Sequence, residues 1–332
     1  MPLLEVKNLD VSFGLRSGEI KALRNINFTL ERGERLGLVG ESGAGKSVLG
    51  FSILNLIAKP GRISAGEIYF EGRNLAELSP EELRSVRGNR ISMIFQDPMM
   101  TLNPVLTIGQ QMIECLQAHR KINKDNARTI AVQKLKQVQI PSPETRIDQY
   151  PHELSGGMRQ RVVIAIGLLM DPDIIIADEP TTALDVTIQA EIMELMVELC
   201  ERNNVALILI THDLGVVSQV TQKALVMYAG RVIEQGPTRE IINDAQHPYT
   251  QGLMNALPQM AIPGQRLNQI RGAMPGLQSI PTGCAFNPRC DYVVEACTKQ
   301  LPGYTVSGNC QVACHMVADM KKAQQAPEEV SS

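Results

Sequence analysis

Apolar and polar residues alternate through the first 35 positions: Leu4, Val6, Leu9, Val11 and Phe13, then Ala22, Leu23, Ile26, Phe28 and Leu30, broken by Gly14, Gly18 and Gly33. A period of two interrupted by glycine predicts antiparallel strands. The pattern then loses its polar positions. Leu36–Val39 reads as a buried strand, followed by a helix over Gly45–Ile57. Gly66–Phe70 and Ile91–Phe95 read as further strands, helical spacing runs from Thr107 to about Val138, and another helix is predicted over Arg159–Met170. Asp173–Ala177 and Val205–Ile210 are almost continuous aliphatic runs, as strands covered on both faces should be, with a helix over Ile188–Glu201 between them. Parallel strands alternating with helices imply an α/β sheet, with phosphate chemistry at the carboxyl ends of its strands.

Near Val232-Ile233-Glu234-Gln235-Gly236-Pro237 the character changes to glycine- and proline-rich connections and a cysteine cluster. The expected organisation is a main domain over 1–235, an extension over 236–319 and a polar, frayed tail over 320–332. Asn243–Pro258 has helical apolar spacing and is expected to pack the extension on the main domain. No internal repeat is visible, so the main domain occurs once.

Composition narrows the class. A formal net charge of −3 over 332 residues gives no electrostatic reason to expect nucleic acid as a ligand. The chain opens Met1-Pro2-Leu3-Leu4-Glu5-Val6-Lys7 without the pattern of a secretory signal. Its longest apolar run, Val162–Met170, is about half of what a bilayer-spanning helix needs. The expectation is a soluble, cytoplasmic protein whose membrane role, if any, comes through a partner. Of seven cysteines, Cys115 and Cys200 stand alone in helical apolar contexts, whereas Cys284, Cys290, Cys297, Cys310 and Cys314 fall within 31 residues. In a reducing compartment such clustering suggests a metal site before disulfides.

Three motifs carry chemistry. Gly40-Glu41-Ser42-Gly43-Ala44-Gly45-Lys46-Ser47 matches G-x-x-x-x-G-K-[ST] between a strand and a helix. Gly40, Gly43 and Gly45 let backbone N–H groups, Ser42 among them, curl around a β-phosphate. Lys46 reaches the β- and γ-oxygens, and Ser47 ligates Mg²⁺. Asp178 ends an aliphatic strand and would hold Mg²⁺ through water, while Glu179 would orient and polarise an attacking water. A carboxylate pair after a strand is commonly just a turn; here Pro180-Thr181-Thr182-Ala183-Leu184-Asp185 follows. Between these two motifs lies Leu154-Ser155-Gly156-Gly157-Met158-Arg159-Gln160.

In that order the motifs resemble those of the ATP-binding cassette (ABC) ATPases over about residues 4–235. The resemblance implies an α/β P-loop ATPase with a mixed sheet core, an antiparallel β subdomain and a helical subdomain at about 100–170. It further implies ATP and Mg²⁺ as ligands. Ser155, Gly156, Gly157 and Gln160 would form a signature that completes the site of a second ATPase subunit, and Asp185 would belong to the D-loop. Gln96 resembles the Q-loop glutamine and His212 the switch histidine, so Gln96, Glu179 and His212 form the expected catalytic set. Phe13 is the expected adenine-stacking ring, although it also suits the core of a strand. Met158 stands where this family often has Gln.

A narrower resemblance covers nearly the whole chain. His247-Pro248-Tyr249-Thr250, Ala256-Leu257-Pro258 and Gly283-Cys284-Ala285-Phe286-Asn287-Pro288-Arg289-Cys290, together with Phe95–Pro104, resemble the ATPase subunits of bacterial dipeptide and oligopeptide importers. This implies a peripheral subunit at the cytoplasmic face of the inner membrane. It would pair with a second, distinct ATPase subunit under two permease subunits fed by an external peptide-binding protein, and transported substrate would not touch this chain. Related subunits serve longer peptides, nickel, glutathione or antimicrobial peptides. A non-transport ABC ATPase is the alternative, but such proteins usually carry tandem cassettes, coiled-coil inserts or basic surfaces, which are not seen here. The resemblance associates Cys284, Cys290, Cys297 and Cys314 with a small cysteine-rich extension holding a [4Fe–4S] cluster. The gaps of five, six and sixteen residues by themselves favour neither iron–sulfur nor zinc, and leave free thiols open. Cys310 lies four positions before Cys314 and could substitute for it.

Overall fold

The computed structural model describes residues 1–16, 18–182, 184–257 and 268–317. In chain order the strands are β1 (Leu4–Leu15), β2 (Gly18–Leu30), β3 (Arg35–Val39), β4 (Gly61–Phe70), β5 (Arg73–Asn74), β6 (Ile91–Ile94), β7 (Ile174–Asp178), β8 (Ala206–Thr211), β9 (Lys223–Tyr228), β10 (Arg231–Pro237), β11 (Thr305–Ser307) and β12 (Cys310–Val312). The helices are α1 (Lys46–Ile53), α2 (Pro80–Val86), α3 (Pro98–Thr101), α4 (Ile108–His119), α5 (Lys124–Gln137), α6 (Pro143–Arg146), α7 (Gly156–Gly167), α8 (Val186–Asn203), α9 (Leu214–Val220), α10 (Thr238–Asn243), α11 (Pro248–Asn255) and α12 (Glu295–Lys299).

The N-terminal alternation folds as one long hairpin, Leu4 opposite Leu30 and Leu15 opposite Gly18. With β4 and β5 it makes a four-stranded sheet in the order β2-β1-β4-β5. β4 begins five residues before the predicted strand, at Gly61, because Gly61–Ala65 pair with Asp10–Phe13 beyond a register shift that apolar alternation cannot show.

The second sheet has eight strands in the order β11-β12-β10-β9-β3-β8-β7-β6. From β9 to β6 the strands run parallel, with Val39 opposite Thr211 and Asp178 opposite Ile210. Every residue of β7 and β8 is buried. Taking one such Ile or Leu out of water is worth about 1.5–3 kcal/mol. Exposed ion pairs such as Arg62–Glu19 are worth about 0–1 kcal/mol each, so the aliphatic strands dominate the cohesion of the fold. The parallel register lines up the ends of β3, β6, β7 and β8, which carry the phosphate loop, Gln96, Asp178–Glu179 and His212.

Several helices differ from expectation for identifiable reasons. The helical stretch after Thr107 is two helices, because Asn123 caps α5 by accepting from Asn126 N. α7 starts three residues earlier than predicted, at Gly156; the Ser155 hydroxyl accepts from Met158 N, and this cap outweighs the low helix propensity of two glycines. α1 stops at Ile53 rather than Ile57. The segment Asn243–Pro258 holds the end of α10 and all of α11, separated by a turn whose Gln246 and His247 amides donate to the buried Glu234 carboxylate. The chain beyond residue 236 rejoins the main sheet, since β12 pairs with β10 at Glu234–Val312. The tail predicted over 320–332 lies outside the described residues. Among the described residues no helix is long and apolar enough to cross a membrane.

Candidate active site

The phosphate loop leaves β3 at Gly40 and enters α1 at Lys46. Gly45 takes φ 101°, a left-handed turn that favours glycine. A Cβ on Gly40 would lie 2.4 Å from Met227 O, so the loop packs too closely on β9 for any side chain there. Lys46 Nζ donates to Gly40 O at 2.7 Å and Glu41 O at 3.1 Å, which holds the ammonium inside the loop. Burial lowers its pKa, opposed by Glu179, Asp178 and Glu41. Ser47 Oγ donates to Asp178 Oδ1 at 3.1 Å. Burial pushes the Asp178 carboxyl up, with the Ser47 hydrogen bond acting against it. A partly buried hydroxyl–carboxylate pair of this kind offers hard oxygen donors suited to Mg²⁺.

Glu179 follows β7 in a left-handed conformation, φ 44°, with its backbone N–H donating to Ile210 O of β8 at 2.9 Å. This turn aims its carboxylate along the ends of the strands. Oε2 accepts from Gln96 Nε2 at 3.1 Å and Thr182 Oγ1 at 2.9 Å, while Oε1 lies 3.3 Å from His212 Nδ1. Burial alone would raise this carboxyl, but the hydrogen bonds from Thr182 and His212 outweigh it and hold the group below its ordinary value. Gln96, Glu179 and His212, which are 83 and 33 residues apart in sequence, thus meet around one carboxylate.

A cleft of about 710 Å³ joins these groups. Ser42, Gly43, Gly45, Lys46 and Ser47 line it together with Gln96, Glu179 and His212. Phe13 does not: its ring edge lies over Gly61, its partner on β4, and Ala22 of β2 lines the cleft instead. Leu253 and Leu277 also line it, and no signal in the sequence marks either leucine as a site residue. Thr182 could have been suspected only as a hydroxyl within the D-loop-like stretch. Ser155, Gly156 and Gly157 lie at the N-terminus of α7 outside this cleft, with Ser155 and Gly156 exposed. Gln160 is buried, its Nε2 without a partner among the described residues, so it does not present its amide to solvent. Asp185 is exposed and caps α8 by accepting from Ile188 N at 3.0 Å. Cys200 is buried in α8, and Cys115 half-buried in α4.

The cysteine-rich segment forms no group of three or more His, Cys, Asp and Glu that could hold a metal ion, among the described residues. Cys284, Cys290, Cys297 and Cys314 nevertheless line one cavity with His247. Tyr292 N and Met316 N donate to the sulfurs of Cys290 and Cys314, each at 3.4 Å. His247 is buried; its Nδ1 accepts from Tyr249 N at 3.0 Å, and its Nε2 has no partner among the described residues. Cys310 is elsewhere, on β12 against Gly236, with Sγ 3.9 Å from Glu240 Oε2.

Comparison with known proteins agrees with this geometry. Residues 23–182 match the ABC transporter family, and residues 233–297 match the C-terminal region of oligopeptide/dipeptide transporters. The dipeptide transport ATP-binding protein DppD of Haemophilus influenzae is 47% identical over 315 residues, 95% of this chain and 96% of its own length. That of Escherichia coli K12 is 46% identical over 320 residues (96% and 98%), and that of Bacillus subtilis 48% over 305 residues (92% and 91%). Among solved structures, the dimeric ATP-binding cassette MJ0796 in a post-hydrolysis state with ADP and Pi superposes with a TM-score of 0.64 at 29% identity, covering 71% of this chain and 99% of that one. The cbiO1 structure from Clostridium perfringens, part of the complex cbiONQ, gives 0.63 at 31% identity, covering 73% and 91%. Relatives of this similarity along almost their full length, and a fold shared with ABC cassettes, establish that the chain is an ABC-type ATPase belonging to the family of dipeptide transport ATP-binding proteins.

Proposed function

We propose that this chain is the ATP-hydrolysing motor subunit of an importer of dipeptides or short peptides. The observation that carries the reading is the meeting of Gln96, Thr182 and His212 on Glu179 beside the phosphate loop. The chain holding this site resembles a dipeptide transport ATP-binding protein over 96% of its residues. The loop amides and Lys46 bind the phosphates, and Glu179 accepts a proton from the attacking water. His212 and Gln96 orient the Glu179 carboxylate. Ser47 and Asp178 would hold Mg²⁺, which neutralises developing phosphate charge when bound.

The N-terminus of α7 is exposed and does not line its own cleft, so Ser155, Gly156 and Gly157 serve the site of a second ATPase subunit, a distinct paralogue in this reading. Closure of that pair moves two permease subunits, with the chain at the cytoplasmic face of the membrane and an external peptide-binding protein supplying substrate. Phe13 does not line the cleft, and the adenine contact is not assigned to it. The test is uptake of a labelled dipeptide into vesicles reconstituted with the two permeases, the second ATPase subunit and the binding protein. ATP-dependent accumulation is expected; hydrolysis with no uptake of any short peptide overturns the reading.

In this reading the thiols of Cys284, Cys290, Cys297 and Cys314 would hold a [4Fe–4S] cluster; as placed they form no metal-binding group among the described residues, and what supports the reading is their shared cavity. They line a common cavity, two of their sulfurs accept backbone N–H groups, and His247, whose Nε2 has no partner among the described residues, lines the same space. The cluster would cross-link three separate stretches of the extension, a structural role. Protein purified without oxygen is expected to carry about four irons and four sulfides per chain, lost in Cys290→Ser. Zinc, or no metal, in the same analysis overturns the assignment.

A further inference from the structure

Glu41 is the second residue of the phosphate loop, at a position where the loop pattern accepts any residue. Here it is gripped by side chains from more than 200 positions downstream. Its backbone N–H donates to Tyr249 Oη at 2.9 Å. Its carboxylate receives both ends of the Arg289 guanidinium, Nη1 to Oε2 at 3.0 Å and Nη2 to Oε1 at 3.1 Å. Arg289 is itself fixed, with Nε donating to Arg271 O at 2.8 Å and Nη1 to Tyr228 Oη at 3.3 Å, and only 6% of its side chain is exposed. A bidentate, mostly buried pair of this kind is far stronger than an exposed one. The same segment also reaches the cleft independently: Leu277 lines it, and Met274 Sδ stands 4.0 Å from where a side chain on Gly43 would begin.

Charge decides what this contact does. Glu41 lines the cleft that takes the triphosphate, and an unpaired carboxylate there would repel it. We propose that Arg289 is a positioning residue of the ATPase. It neutralises Glu41 and holds the phosphate loop in its curl, so that the loop binds nucleotide well only while the segment bearing Cys290 is docked. Arg289 touches neither phosphate nor water in this role, which rests on the ATPase reading above.

The experiment is a double-substitution cycle on the full chain, read by titration with a fluorescent ATP analogue and by ATPase KM and kcat. Arg289→Gln is expected to raise the Kd and KM about tenfold, leaving kcat at saturating ATP within about twofold. Glu41→Gln combined with Arg289→Gln should regain most of the affinity, because no charge is left unpaired. Unaltered affinity in Arg289→Gln overturns the proposal, as does a double variant no tighter than that single one. If Arg289→Gln does not fold, the swapped pair Glu41→Arg with Arg289→Glu is titrated. Affinity within about threefold of wild type is then expected, and a tenfold loss overturns the proposal. Wild-type chain that binds no ATP would instead defeat the ATPase reading itself.

Discussion

Glu179→Gln is expected to lower ATP hydrolysis by about 10²- to 10⁴-fold while ATP binding stays within about twofold of wild type. Glutamine keeps the shape and can still accept the hydrogen bonds from Gln96 and Thr182, so the pocket should not rearrange. What it loses is basicity. The wild-type carboxyl sits below its ordinary value because Thr182 and His212 outweigh its burial, so it is ionised throughout the neutral range. Loss of rate through protonation of Glu179 should accordingly begin only as the pH drops below the ordinary glutamate range. The variant should also trap the closed subunit pair with ATP, visible as a stable dimer by light scattering. Phosphate release at the wild-type rate would show that another group handles the water.

The second large effect is expected at Lys46. Removing its ammonium in Lys46→Ala deletes the one buried cation that lines the cleft among the described residues, and should raise the Kd for ATP about 10²-fold. The figure follows from charge-assisted bonds to phosphate at a site only 5% exposed, where screening by water is weak. Lys46 also bonds two loop carbonyls, so part of the loss comes from relaxation of the loop. Calorimetric titration beside a melting curve separates the two: a folded variant should release little heat with ATP. A folded Lys46→Ala that binds ATP as tightly as wild type would remove the phosphate-loop assignment.

Both predictions rest on residues that were legible before the fold was known, and the reason is local. Gly40–Ser47 is one continuous loop, so its spacing alone dictates how its amides point. Asp178 and Glu179 are adjacent, and the aliphatic run before them marks a strand end. Gln96 and His212 have no such local signature; family resemblance proposed them, and the parallel register of β6, β7 and β8 brought them onto Glu179.

Other features depended on contacts between distant parts of the chain. Alternation identified Phe13 as a strand aromatic facing either core or ligand, and its packing over Gly61 leaves Ala22, Leu253 and Leu277 lining the cleft. Resemblance named Cys314, and spacing left Cys310 as a possible substitute; the pairing of β12 with β10 turns Cys310 onto Gly236 and leaves Cys314, just past the strand, at the cavity of the other three cysteines. The hold of Arg289 and Tyr249 on Glu41 had no trace in the sequence at all. By itself, then, the sequence determined the phosphate loop, the acidic strand end and the family, because hydrogen-bond geometry within a few residues follows from their order. Which leucines wall the nucleotide, which cysteine turns inward and which arginine neutralises Glu41 were decided by tertiary structure, because these are side-chain contacts whose partners lie tens to hundreds of residues apart.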